Sequence, residues 1–202
     1  MSYNNFSIII TISDATLEAL RKSGYCLYLF RRFEISDYMA VPVVWRKNSE
    51  YLNVTEIECT DQFKSYISNS EIEDYEKIVV GNSWGIDTGE YLVVSEYGVG
   101  SVHQDSGFSD SIGILNETSS QFTTGVATDN IEPLCAVPLY GHDLKLVKPT
   151  ADVFLMFSGP IYSSEVVAVL STGPGVLVQG TPTETRALTF DINLGWTYGG
   201  AS

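Results

Sequence analysis

Between Lys77 and Lys145 the sequence has no basic residue, although the stretch 78–144 holds nine acids (Asp87, Glu90, Glu96, Asp105, Asp110, Glu117, Asp129, Glu132 and Asp143). Eight of the eleven bases precede that stretch, and 25 acids bring the formal net charge to −14. Such a chain has no global positive field to attract phosphates, which argues against nucleic acid as a partner. The acids lack the spacing of a calcium loop. A solvated acidic surface is therefore expected in preference to a cation site or a surface for a basic partner.

Cysteine is scarce as well. Cys26, Cys59 and Cys135 are an odd number at wide spacing, which suits reduced core thiols better than a disulfide framework or a zinc site. The two histidines, His103 and His142, stand alone, with no H-x-x-x-H or C-x-x-C spacing, so neither metal nor cofactor is expected. No apolar run approaches the roughly 18 residues of a membrane-spanning helix. The first residues, MSYNNFSIIITISD, carry no basic leader region. Together these features lead to the expectation of a cytoplasmic protein without a transmembrane segment.

Helix is almost missing too. Only SDATLEALRKSG, residues 13–24, has helical punctuation: Ser13 or Asp14 to cap, Arg21 and Lys22 in the last turn, and Gly24 to close. What remains is strand-like, with turn residues between the segments. Strands are predicted at 6–12, 25–33, 41–46, 51–58, 62–67, 76–80, 90–96 and 121–127, then at 134–139, 143–148, 153–157, 165–170, 176–179 and 186–192. In RALTFDI, Leu188, Phe190 and Ile192 alternate with Ala187, Thr189 and Asp191, which predicts an antiparallel strand with one buried face. VFLMF is apolar on both faces and is placed at the centre. The Gly- and Ser-rich stretch 97–116 reads as a long loop. The expected fold is all-β, a single antiparallel β-sandwich domain over 1–202 (jelly-roll-like or barrel-like) with one short N-terminal helix.

Two hydrolase patterns fall within KIVVGNSWGIDTGEYLVV. Gly81-Asn82-Ser83-Trp84-Gly85 matches the G-x-S-x-G nucleophile elbow, with Asp110 or Asp129 and then His142 as nominal partners. An elbow needs a helix directly after the serine, and the residues after Ser83 cannot start one. Asp87-Thr88-Gly89 matches the aspartic-protease triplet, but a single copy supplies only half a dyad. The stretch is better explained as a hairpin whose turn is Asp87-Thr88-Gly89. An enzyme using Ser83, His142 and Asp110 is kept as the alternative.

Aromatics are plentiful: 12 tyrosines, 9 phenylalanines and 3 tryptophans. Several stand beside glycine or in turns, where flat rings stack on sugars or insert among lipid headgroups. Trp84, Tyr97, Tyr140, Trp196 and Tyr198 are the candidate ligand-binding residues. Within the last pair, Trp196 is expected to cap the core and Tyr198 to face a ligand. The leading expectation is a non-enzymatic recognition protein, lectin-like or cytolysin/toxin-like, that binds a glycan or lipid headgroup. A β-barrel enzyme (hydrolase or cyclase-like) and a self-assembling structural protein, possibly a homo-oligomer, are the alternatives.

Overall fold

The first strand, β1 (Phe6–Ile12), puts Phe6, Ile8, Ile10 and Ile12 on one buried face, as the two-residue period of a strand requires. A computed structural model of the protein describes residues 5–35, 41–160 and 174–199. β1 ends where Ser13 caps α1 (Asp14–Lys22), its side chain accepting from the Thr16 N–H at 3.3 Å. Leu17 and Leu20 face inward, and Gly24, at φ +68°, closes the helix in the conformation glycine tolerates best. The helix thus forms where its punctuation predicts.

The chain then continues through β2 (Cys26–Ile35), β3 (Val41–Pro42), β4 (Arg46–Asn48), β5 (Val54–Cys59) and β6 (Phe63–Ser68). Next come β7 (Asn82–Ile86), β8 (Glu90–Val94), β9 (Gly100–Gln104), a 3-10 turn at Ser106–Phe108, and β10 (Ile112–Asn116). The remaining strands are β11 (Phe122–Thr128), β12 (Cys135–Leu139), β13 (Leu144–Ser158), β14 (Gly175–Gln179), β15 (Thr185–Asp191) and β16 (Gly195–Tyr198).

These strands make an all-β, sandwich-like fold of three sheets. One sheet has the order β16-β15-β1-β5 and another the order β3-β12-β11-β6-β7. The largest runs β4-β2-β13-β10-β8-β9, with β14 added beside β13. One apolar core joins all three, drawing Ile8 and Phe190 from the first, Phe63 and Val126 from the second, and Leu29, Leu155 and Phe157 from the largest.

Several expectations need correction. The predicted strands 143–148 and 153–157 are one strand, β13, whose register against β2 shifts between Pro149 and Val153. Proline has no N–H for the ladder, so an irregularity at that point is the natural accommodation. VFLMF does lie centrally, with β2 on one side and β14 on the other. Residues 76–80 do not form a strand, which begins instead at Asn82. The supposed loop 97–116 contains β9, the 3-10 turn and β10. β15 pairs in parallel with β1 and antiparallel with β16; Leu188 and Phe190 are buried, but Ile192 leaves the strand and is exposed. The predicted strand 165–170 lies outside the described residues.

All three cysteines are free and buried. Burial pushes the Cys59 thiol up to about 11, against the pull of the Arg31 and Arg46 cations, and the Cys135 thiol up to about 12. The reactive form is the thiolate, so alkylation of the native protein at neutral pH should be slow and follow unfolding. Fast modification of Cys59 or Cys135 by iodoacetamide without denaturant would contradict their placement.

Candidate functional site

Ser83 sits within β7, paired across the sheet with Tyr66, and the turn that would expose an elbow serine is not there. Asp110 holds Lys148 Nζ at 2.7 Å and accepts from the Ser111 hydroxyl at 3.1 Å. Those contacts hold its carboxyl below the usual carboxylate range, with the hydrogen bond from Lys148 the largest cause. His142 lies in the turn after β12, at φ +58°, and its backbone N–H donates to the Thr118 carbonyl. Asp110 precedes β10 and Thr118 follows it, so the length of that strand separates them, on the order of 15 Å or more at ~3.3 Å per residue. The structure therefore does not bring Ser83, His142 and Asp110 together as a catalytic set.

The second hydrolase pattern becomes a corner between sheets. Gly89 adopts φ +88°, the Asp87 N–H donates to Glu90 Oε2 at 2.8 Å, and the Glu90 N–H returns to the Asp87 carbonyl. This is a turn, as expected, but not that of a hairpin. β7 pairs with β6, whereas β8 pairs with β9 and β10. His103 and Asp105 are also separately engaged: the ring nitrogen Nε2 meets Ser101 Oγ at 2.8 Å, and Asp105 caps the 3-10 turn.

The five candidate aromatics fall in three places. Trp84 is half-buried and lies against Gly100 so closely that a Cβ there would stand 2.2 Å from its ring, which joins β7 to β9. Trp196 stacks on Phe157 (5.4 Å, 13° between planes), and its indole N–H donates to the Pro174 carbonyl at 3.1 Å. Tyr198 is 62% exposed, with its hydroxyl on the Leu177 carbonyl. This last pair binds the four-stranded sheet to β14 near the C-terminal half of β13. Tyr97, 91% exposed, and Tyr140, 50% exposed, stand near the beginning of β13 instead. Their location follows from pairings: Val94 lies beside Asn116, Leu115 beside Leu144, and Asn116 Nδ2 donates to the carbonyls of Ser120 (2.7 Å) and Tyr140 (2.9 Å).

A cleft of about 700 Å³ opens beside that end of the molecule, within the size range of small-molecule sites. β6 ends at Ser68 opposite Thr123, and β12 ends at Leu139 opposite Phe122. The cleft is lined by the half-buried Phe122 ring, Asn69, Glu71, Gln121, and the apolar Val41, Ile72 and Pro138, with Ser70 and Thr123 at its wall. That wall is pinned. Thr123 Oγ1 donates to the Ser70 carbonyl (2.6 Å), the Val79 N–H to Ser70 Oγ (2.9 Å), and Ser68 Oγ to the Val79 carbonyl (2.6 Å). The side chains of Asn69, Glu71 and Gln121 have no hydrogen-bond partner among the described residues.

Among the described lining residues of this cleft there is no cation, and Glu71 is the one carboxylate. An anionic phosphate or headgroup would meet repulsion without compensation there. Glycoside hydrolysis commonly uses two carboxylates, and the described lining residues supply one. Among the described residues there is no group of three side chains able to hold a metal, and no helix long and apolar enough to cross a membrane.

Sequence reasoning missed this cleft. Its residues come from the ends of separate strands, and nothing local marks Asn69, Gln121 or Phe122 as neighbours. No family model matches the chain, and no curated protein or solved structure matches it significantly.

Proposed function

We propose that the protein is a non-enzymatic recognition protein that takes a neutral saccharide in the Phe122 cleft. The observation that carries this reading is the set of three polar side chains, Asn69, Glu71 and Gln121, around one half-buried ring, with neither a hydrogen-bond partner for them nor a lining cation among the described residues. Amides and a carboxylate match the donors and acceptors of sugar hydroxyls, and an aromatic ring offers its face to the C–H side of a sugar. The serine and threonine bonds behind them hold the wall in place before binding, which lowers the entropy lost on association. The same lining disfavours anionic lipid headgroups. Tyr140 and Tyr97 supply exposed rings at the same end of the fold, where longer chains would extend.

A glycan array is expected to return neutral saccharides. Gln121→Ala and Glu71→Gln should each weaken the strongest of them about tenfold or more, a loss of about 1.4 kcal/mol or more. Tyr198→Ala should leave binding unchanged, because that ring lies at the other end of β13. Retention of full affinity by both cleft variants, or an array selecting only anionic ligands, would sink the proposal.

A further inference from the structure

A second cleft, of about 390 Å³, lies between β4 and β5, with Trp45, Arg46 and Lys47 on one wall and Glu56 on the other; Glu132 also lines it. Its two cations differ from six of the chain's eleven. Arg31, Arg32, Lys64, Lys145, Lys148 and Arg186 each hold a carboxylate within 4 Å. Arg46 and Lys47 hold none among the described residues, in a protein with 25 acids. Glu56 and Glu132 share the cleft with them, yet the opposed charges do not close on one another.

A second observation comes from the buried side of the same wall. Trp45 is only 4% exposed, and its indole Nε1 has no hydrogen-bond partner; neither has the buried Arg31 Nε. The Arg46 guanidinium lies 4.6 Å from the Trp45 ring centroid and the Arg31 guanidinium 5.9 Å, so two cations flank an indole whose N–H is unspent. Buried polar groups in native proteins are normally paired, and this indole N–H is left unspent within the wall that the Arg46 cation covers. A lone anion would satisfy the cationic wall but face two carboxylates. A lone cation would meet the reverse.

We propose that this cleft binds a small zwitterion, its oxyanion end on Arg46 beside the Trp45 indole and its ammonium end on Glu56 and Glu132. The chemistry fits a free zwitterionic metabolite or the exposed headgroup of a zwitterionic lipid. The site is separate from the saccharide cleft and does not depend on it.

The test is titration of the whole protein with phosphocholine, inorganic phosphate and choline, followed by tryptophan fluorescence and calorimetry. Phosphocholine should bind saturably and at least tenfold more tightly than either half alone. The double variant Arg46→Gln/Lys47→Gln, checked for an unchanged melting temperature, should lose that binding tenfold or more. Glu56→Gln should weaken phosphocholine while strengthening phosphate, which no longer faces that carboxylate. Co-sedimentation with phosphatidylcholine vesicles that is lost in the double variant supports the site and assigns its source to a lipid. Saturable binding of soluble phosphocholine without vesicle binding supports it and assigns the source to a free molecule. Absence of saturable phosphocholine binding, equal affinity for phosphate, or full binding by the double variant overturns the proposal.

Discussion

Phe157→Ala is expected to lower the unfolding free energy by about 3–5 kcal/mol, a large part of the stability of a domain of this size. Phe157 is fully buried in β13, where it faces Leu27 of β2. Its ring meets Tyr51 at 5.1 Å edge-on, Phe190 at 4.6 Å and Trp196 at 5.4 Å in a stack. It therefore ties the seven-stranded sheet to β15 and β16 of the four-stranded one, and truncation opens a void lined by rings that cannot easily collapse. Urea unfolding would show it as a lower midpoint with an unchanged slope. A loss under about 1 kcal/mol would mean that this aromatic junction is not where the sheets are joined.

Gly125→Ala should be comparably severe, by the opposite route. A Cβ at Gly125 would stand 2.1 Å from the Cys135 carbonyl oxygen and 3.1 Å from the Tyr66 hydroxyl. Both obstacles are fixed, since the buried Tyr66 hydroxyl donates to that same carbonyl at 2.8 Å. The added methyl must push β12 away from β11. Overpacking costs about 1–3 kcal/mol, and loss of the buried hydrogen bond adds about 1–3 kcal/mol more. Tyr66→Phe, which removes only the hydrogen bond, should cost the second part alone. A Gly125→Ala protein with wild-type melting temperature would contradict the close approach of these strands.

These two positions show which parts of the fold the sequence discloses. β1 and α1 are legible because their signals are local: alternation in FSIIITI, a serine cap, basic residues in the last turn and a closing glycine. Partners of strands are not local. Nothing in RALTFDI says that its neighbour β1 is parallel, or that Gly125 passes under a carbonyl of residue 135. The Asp87-Thr88-Gly89 turn is legible for the same local reason as the helix cap. Whether it folds a hairpin or carries the chain from one sheet to another depends on pairings decided elsewhere. Of the aromatics chosen for exposure beside glycine, Trp84 covers Gly100 and Trp196 stacks on Phe157. A glycine next to an aromatic thus marks a backbone that lets a ring lie flat on it as readily as it marks an open loop.

Association through sheet edges, the structural alternative, meets an obstacle at β5. This edge strand carries Glu56 and Glu58, both exposed, where an added strand would bring further backbone into a field of like charge. The loop end of the fold has no such barrier to a neutral ligand.

The most direct test of saccharide recognition is an amide and side-chain NMR titration of the ¹⁵N-labelled protein with the strongest neutral glycan from the array. Saturable shifts are expected at residues 69–72 and 121–123, including the side-chain amides of Asn69 and Gln121. Shifts confined to residues 195–198 and 174–177, with the 69–72 and 121–123 resonances unmoved, would place the ligand elsewhere and contradict the assignment of the site.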